Sequence, residues 1–139
     1  MAKPVRNHPA FHLPRKVPKR IALIVAGVMM SLAISVLAVI FLSVYFLLLE
    51  SSIIERNLQY VIVGITMLSI FIGSVYATFK MEANGLIVGL IIGFCYVSVS
   101  ILIGLYVAQD NLSIWVILNK YLAGMAAGGL GGLVGVNLA

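Results

Sequence analysis

Charge is what this chain has least of. Of its 139 residues 9% are Asp, Glu, Lys or Arg and 63% are hydrophobic, against roughly 25% charged in an ordinary soluble domain. Mean hydropathy is +1.17, and a soluble fold is excluded. Cysteine occurs once, at Cys95, so no disulfide can close within the chain; the thiol reads as a small apolar filler. Both histidines, His8 and His12, fall in the first twelve residues. Their i, i+4 spacing would suit a metal on a helix, but Pro9 lies between them and the geometry fails. With no histidine elsewhere, no Ser/His/Asp or Cys/His set can be assembled. The four acids, Glu50, Glu55, Glu82 and Asp110, are scattered over the connections and leave the apolar runs without a carboxylate. This argues against proton- or cation-coupled exporters of the small four-helix type, which need one in the core. It also argues against lipid chemistry, which gathers acids, bases or metal ligands at the headgroup plane. No enzyme, cofactor or metal site is expected.

Present instead are four long runs without charge: Ile21 to Leu49, Asn57 to Phe79, Ala83 to Gln109 and Tyr121 to Ala139. About 20 apolar residues cross the ~30 Å hydrocarbon layer. The expected fold is therefore an all-α membrane protein, a four-helix transmembrane bundle with spans at about 21–49, 58–79, 85–108 and 113–138. The connections are too short for an extramembrane domain. Residues 1–20 form a basic tail that holds all four prolines, Pro4, Pro9, Pro14 and Pro18, so an extended, mobile segment is expected there. The tail resembles a signal peptide's start, but the apolar run behind it is about twice the usual 7–15 residues and no small-x-small site precedes Glu50. It is expected to remain uncleaved.

Short loops rich in Lys and Arg stay on the cytoplasmic side. With four spans the tail, the loop at Lys80 and the C-terminus share one face, which carries seven of the nine cations. Both termini are accordingly expected in the cytoplasm of a bacterial cell membrane. Arg15, Lys16, Lys19 and Arg20 lie against the bilayer, where each gains about 1 kcal/mol from anionic lipid. Lipid is thus the expected partner of the tail. Nucleic acid is not, since Phe11 is the tail's only aromatic residue. Tyr45, Tyr60, Tyr106, Trp115 and Tyr121 all fall toward the outer ends and read as an interfacial belt.

Small residues recur at helical spacing. Gly124, Gly128, Gly131 and Gly135 are four, three and four apart, which confines them to an arc of about 60°. Gly129 and Gly132 widen the stripe. Six glycines in the twelve residues Gly124 to Gly135 would cost a water-exposed helix about 5–6 kcal/mol relative to alanine. In lipid the backbone must hydrogen-bond to itself, so the helix forms and its bare face lets another backbone come close. The third span offers Gly85, Gly89 and Gly93, which an antiparallel pairing sets at the depth of Gly132 and Gly135. The second offers Ser69, Gly73 and Ala77, and the first Gly27, Ser31 and Ser35. Tight convergence is expected at the end that holds the termini, with Leu, Ile and aromatic side chains spacing the helices beyond it. Such stripes serve packing within the chain, or contact with a second copy or a membrane-protein partner.

Mid-span polar groups are Ser35, Thr66, Ser69, Tyr96 and Ser98, all neutral and able to bond back to their own helix. Lys120 is the one candidate for a charge within the membrane, two turns inside the fourth span if that helix begins near Leu112. It can snorkel to the interface or serve as a functional cation. Asn119 and Asn137 read as interface or cap groups.

The motifs Gly73-x-x-Tyr76-Ala77, Lys80, Asn84-Gly85-Leu86-x-x-Gly89-x-x-x-Gly93, Lys120 and the ending Gly128-Gly129-Leu130-Gly131-Gly132-Leu133-Val134-Gly135-Val136-Asn137 resemble the YrzE-like family. These are uncharacterised four-helix membrane proteins of Gram-positive, often spore-forming bacteria. The resemblance runs from Ile21 to Ala139, with Thr78 where such families carry a second glycine. It implies fold, topology and a bacterial membrane, and no reaction. Two roles are compatible with these observations. One is a non-catalytic structural or accessory subunit acting through helix contacts with itself or a larger membrane complex. The other is a small multimeric channel or carrier for a neutral solute or an anion, with Lys120, Tyr96 and Thr66 as polar lining.

Overall fold

The computed structural model describes residues 19–49, 56–81, 84–108 and 113–139. They form four helices, α1 (Lys19–Leu49), α2 (Leu58–Phe79), α3 (Gly85–Ala108) and α4 (Ile114–Leu138). Each is long and apolar enough to cross a membrane; even α2, with 22 residues, extends about 33 Å at the helical rise per residue. The first helix starts at Lys19, two residues ahead of the charge-free run. Its first backbone groups need no apolar side chain, and the residue before it is Pro18, which suits a helix start better than an interior. Residues 1–18, among them His8, His12, Arg15 and Lys16, lie outside the described residues, as do Glu50, Glu55, Glu82 and Asp110.

The helices run up and down. Gly85, Gly89 and Gly93 of α3 face Gly132, Gly128 and Gly124 of α4 in that order, an antiparallel pairing. Gly131 and Gly135 of α4 face Phe71 and Val75 of α2, a parallel pairing, and Gly27 of α1 faces Ala77 and Gly73 of α2, antiparallel again. The start of α1, the α2–α3 turn and the end of α4 therefore share one end of the bundle, the near end; the other three helix ends make the far end. In the turn, Asn84 adopts φ 48°, a left-handed conformation that asparagine tolerates better than most residues. Lys80 Nζ donates to the Tyr76 hydroxyl at 2.8 Å just before it.

Two apolar clusters fill the interior. Ala77, Val88 and Ile92, with Ile24 and Val28 of α1 against them, occupy the near half. Ile70, Tyr96, Val97, Ile101 and Ala127, joined by Leu32 and Met67, sit at mid-depth. Helix α1 buries only Gly27 and Ser31; from Leu37 onward most of its large side chains are exposed, with Leu42 and Phe46 half-buried. Tyr45, Tyr60, Tyr106 and Trp115 are also exposed, as anchors should be. Tyr121 differs from the belt expected of it. Its hydroxyl lies 3.0 Å from Ser98 Oγ and its ring centroid 5.1 Å from that of Phe94, because it stands seven residues inside α4 and faces α3.

Candidate functional site

The glycine faces are spent inside the chain. A methyl group on Gly128 would run into the Gly89 carbonyl, one on Gly89 into the Gly128 carbonyl, and one on Gly132 into the Gly85 carbonyl. Gly131 would meet the Phe71 carbonyl at 2.6 Å and Gly135 the Val75 carbonyl at 2.7 Å. The stripe of α4 is thus divided between two neighbours: Gly132 lies against Gly85, whereas Gly135 packs on α2. Gly73 and Ala77 close against Gly27 and Ser31 of α1. Ser69 is buried and returns its hydroxyl to Ile65 O at 2.8 Å. One small residue escaped the sequence reading. Ser74 is buried and donates to Gly128 O at 2.7 Å, across α2 and α4.

Toward the far end, α2, α3 and α4 part around a cavity of about 380 Å³. The helix register gives it a floor and walls. At the floor, Ile70 approaches Gly124 and Val97 packs against the same glycine, with Tyr96 beside them in one cluster. One turn nearer the far end on each helix stand Thr66, Ser100 and Lys120, all lining the cavity, with Gln59 and Asn119 adding two amides. The structure thus brings Thr66, Tyr96 and Lys120 to one place from three helices. Asn119 lines the cavity as well and does not cap a helix end, since it lies five residues into α4.

Hydrogen bonding sorts these groups. Thr66 Oγ1 donates to Ile62 O at 2.8 Å and is occupied, as are Ser35 with Leu32 O and Ser98 with Phe94 O. Tyr96 is 4% exposed. Among the described residues its hydroxyl has no partner in the chain, and no fully enclosed side-chain oxygen is left without one. Its hydroxyl is therefore not fully enclosed, and the residue lines the cavity. Lys120 is exposed along one side while lining the cavity on the other. At six residues past Ile114 it stands about 9 Å along the helix axis, inside the apolar span.

A second hollow, about 680 Å³, lies between the far half of α1 and Ile65 of α2. Ile34, Leu37, Phe41, Leu42 and Tyr45 line it, and it is almost wholly apolar. Of the four cations expected on the lipid surface, Lys19 and Arg20 are exposed in the first turn of α1; Arg15 and Lys16 precede the described residues.

The polar cavity was only partly legible because no one helix carries it. Gln59 and Ser100 are ordinary residues on mostly apolar helices and become lining only when three helices diverge. A family model described as Protein of unknown function (DUF3792) matches residues 20–135, a stretch that runs through all four helices. No curated protein and no solved structure matches the chain.

Proposed function

Taking as premise that the chain belongs to the DUF3792 family of proteins of unknown function, we propose that it is a non-catalytic membrane protein that takes a small solute into the cavity between α2, α3 and α4. One observation carries this reading: six polar groups from three helices line one cavity that is closed below by packed apolar side chains. A volume of about 380 Å³ is within the range of small-molecule sites. Polar groups inside a membrane are expensive unless they serve a pathway or a ligand. The resemblance to YrzE-like proteins supports a bacterial cell membrane as the setting, and the cation bias supports both termini in the cytoplasm.

The accessory-subunit reading loses its original contacts, since the glycine faces are buried against sister helices. What favours it now is α1, whose far half carries many exposed apolar side chains and borders an apolar groove. Reconstitution separates the two. Liposomes holding the full chain should accumulate small labelled polar solutes above empty liposomes, and Ala123→Leu, which fills the cavity, should remove the excess while leaving thermal stability within a few degrees. Wild-type liposomes that neither bind nor pass any solute of this size would leave the accessory role as the better account.

A further inference from the structure

We infer that the ligand of this cavity carries an oxyanion, held by Lys120 with Tyr96 and Ser100. The inference rests on the cavity being a ligand site and adds the chemistry of what enters. Lys120 is the one charged residue among the described residues that line the cavity. A lysine that stands inside an apolar span attracts negative charge more strongly than it would in bulk solvent. The remaining lining groups can donate. Tyr96 and Ser100 stand at i and i+4 on α3, hence on one helix face, and neither hydroxyl is used by a described protein group. The Gln59 and Asn119 amides can donate further. Thr66 has already committed its proton to Ile62 O, so it offers its oxygen only.

The position of the free hydroxyls matters as much as their number. Tyr96 is held at the cavity floor by Ile70, Val97 and Ala127, so its ring cannot swing away to find water. Its hydroxyl, which no described group of the chain engages, is placed to donate to an acceptor brought in from outside. An oxyanion supplies such an acceptor with lone pairs to spare, and charge assistance roughly doubles the strength of each bond. A neutral solute would satisfy Tyr96 but would leave the Lys120 ammonium without its complement. A cation would be repelled.

The same chemistry can come from a free anion or from the headgroup of an anionic lipid, and binding to the full chain in neutral detergent distinguishes them. Three probes are compared by thermal shift and native mass spectrometry: inorganic phosphate, phosphatidylglycerol and uncharged diacylglycerol. At least one of the anionic probes should bind tenfold or more tightly than diacylglycerol; phosphate alone identifies a soluble anion, phosphatidylglycerol alone a lipid. Lys120→Gln should weaken that binding at least tenfold and Tyr96→Phe at least threefold, both variants melting close to wild type. Lys80→Gln, at the opposite end of the bundle, should change it less than twofold. Failure of both anionic probes to bind wild type overturns the inference, and so does anion binding that survives Lys120→Gln and Tyr96→Phe together. If diacylglycerol binds, is lost in Ala123→Leu and is indifferent to Lys120→Gln, the cavity remains a ligand site and the oxyanion is wrong. If Ala123→Leu alters the binding of no probe, the cavity reading falls as well.

Discussion

Gly64 and Gly128 are the same residue in helices of one bundle, and a methyl group added to each has opposite consequences. At Gly128 the new carbon meets the Gly89 carbonyl, a backbone atom that no rotamer change can move, and the Gly93 Cα at 3.1 Å. Relief requires α3 and α4 to separate along their whole contact, which also loosens Gly85 against Gly132. Overpacking of this kind costs about 1–3 kcal/mol. At Gly64 nothing lies within 4 Å, so alanine only improves the helix, by up to about 1 kcal/mol in the scale of helix propensities. Gly128→Ala should therefore lower the midpoint of detergent-induced unfolding and Gly64→Ala should leave it unchanged or raise it. Equal effects would mean that α3 and α4 are not in backbone contact. Ser74 shows why the contact tolerates a polar group at all. Its hydroxyl reaches Gly128 O at 2.7 Å, beside Gly89 and Gly131, where an added methyl would come within 2.9 Å of Ser74 Oγ and 3.1 Å of its Cβ, and Thr78 in turn donates to Ser74 O.

At the scale of elements, α3 and α4 meet along the glycine ladder and α2 closes on both, whereas α1 is attached by a narrow strip. The strip is Gly27 and Ser31 against Gly73 and Ala77, with Ile24, Val28 and Leu32 alongside. A side chain on Gly27 would come within 2.8 Å of Ala77 Cβ and 3.1 Å of Gly73 O. Gly27→Leu should lever α1 away and leave α2, α3 and α4 together. In a Cys95→Ala background, an Ile34→Cys/Ile65→Cys pair across the groove should then lose most of its crosslinking, while Ser98→Cys/Tyr121→Cys, across α3 and α4, should retain it. Loss of both would show that α1 is integral to the core. The sequence makes the existence and limits of these helices legible because long apolar runs mark them: the expected spans differ from the helices by two residues at Lys19 and one at Ile114, although Lys120 interrupts the charge-free run of the fourth. It also shows which faces are small. It does not show how a stripe is apportioned: Gly131 and Gly135 turn to α2 while Gly128 and Gly132 turn to α3, a division set by the angle at which three helices meet. The cavity is hidden for the same reason. Thr66, Tyr96 and Lys120 are visible one at a time as polar residues in apolar runs, but their common wall exists only in the assembled bundle, and Ser74 looks in sequence like any hydroxyl that bonds its own helix.

For the whole molecule, orientation decides which compartment the cavity faces. The near end holds Lys80, Lys19 and Arg20, and Lys3, Arg6, Arg15 and Lys16 precede it in sequence, seven of the nine cations in the chain, leaving Arg56 and Lys120 to the far half. Cations resist transfer across the membrane, so an excess of this size should hold the near end in the cytoplasm. The cavity, walled by Thr66, Ser100 and Lys120 on its far-end side, would then draw its ligand from the outer compartment or the outer leaflet. Single cysteines in a Cys95→Ala background report this directly. An impermeant maleimide applied to intact cells should label Trp115→Cys, which is 74% exposed at the start of α4, and should reach Leu138→Cys only after lysis. The same logic gives a stricter test, because the bias is additive. Replacing Arg15, Lys16, Lys19 and Arg20 with glutamine leaves Lys3, Arg6 and Lys80 against Arg56 and Lys120, close to balance. Trp115→Cys should then be labelled in only part of the population and Leu138→Cys in the rest. A single unchanged orientation in that variant would mean that the tail cations do not set topology.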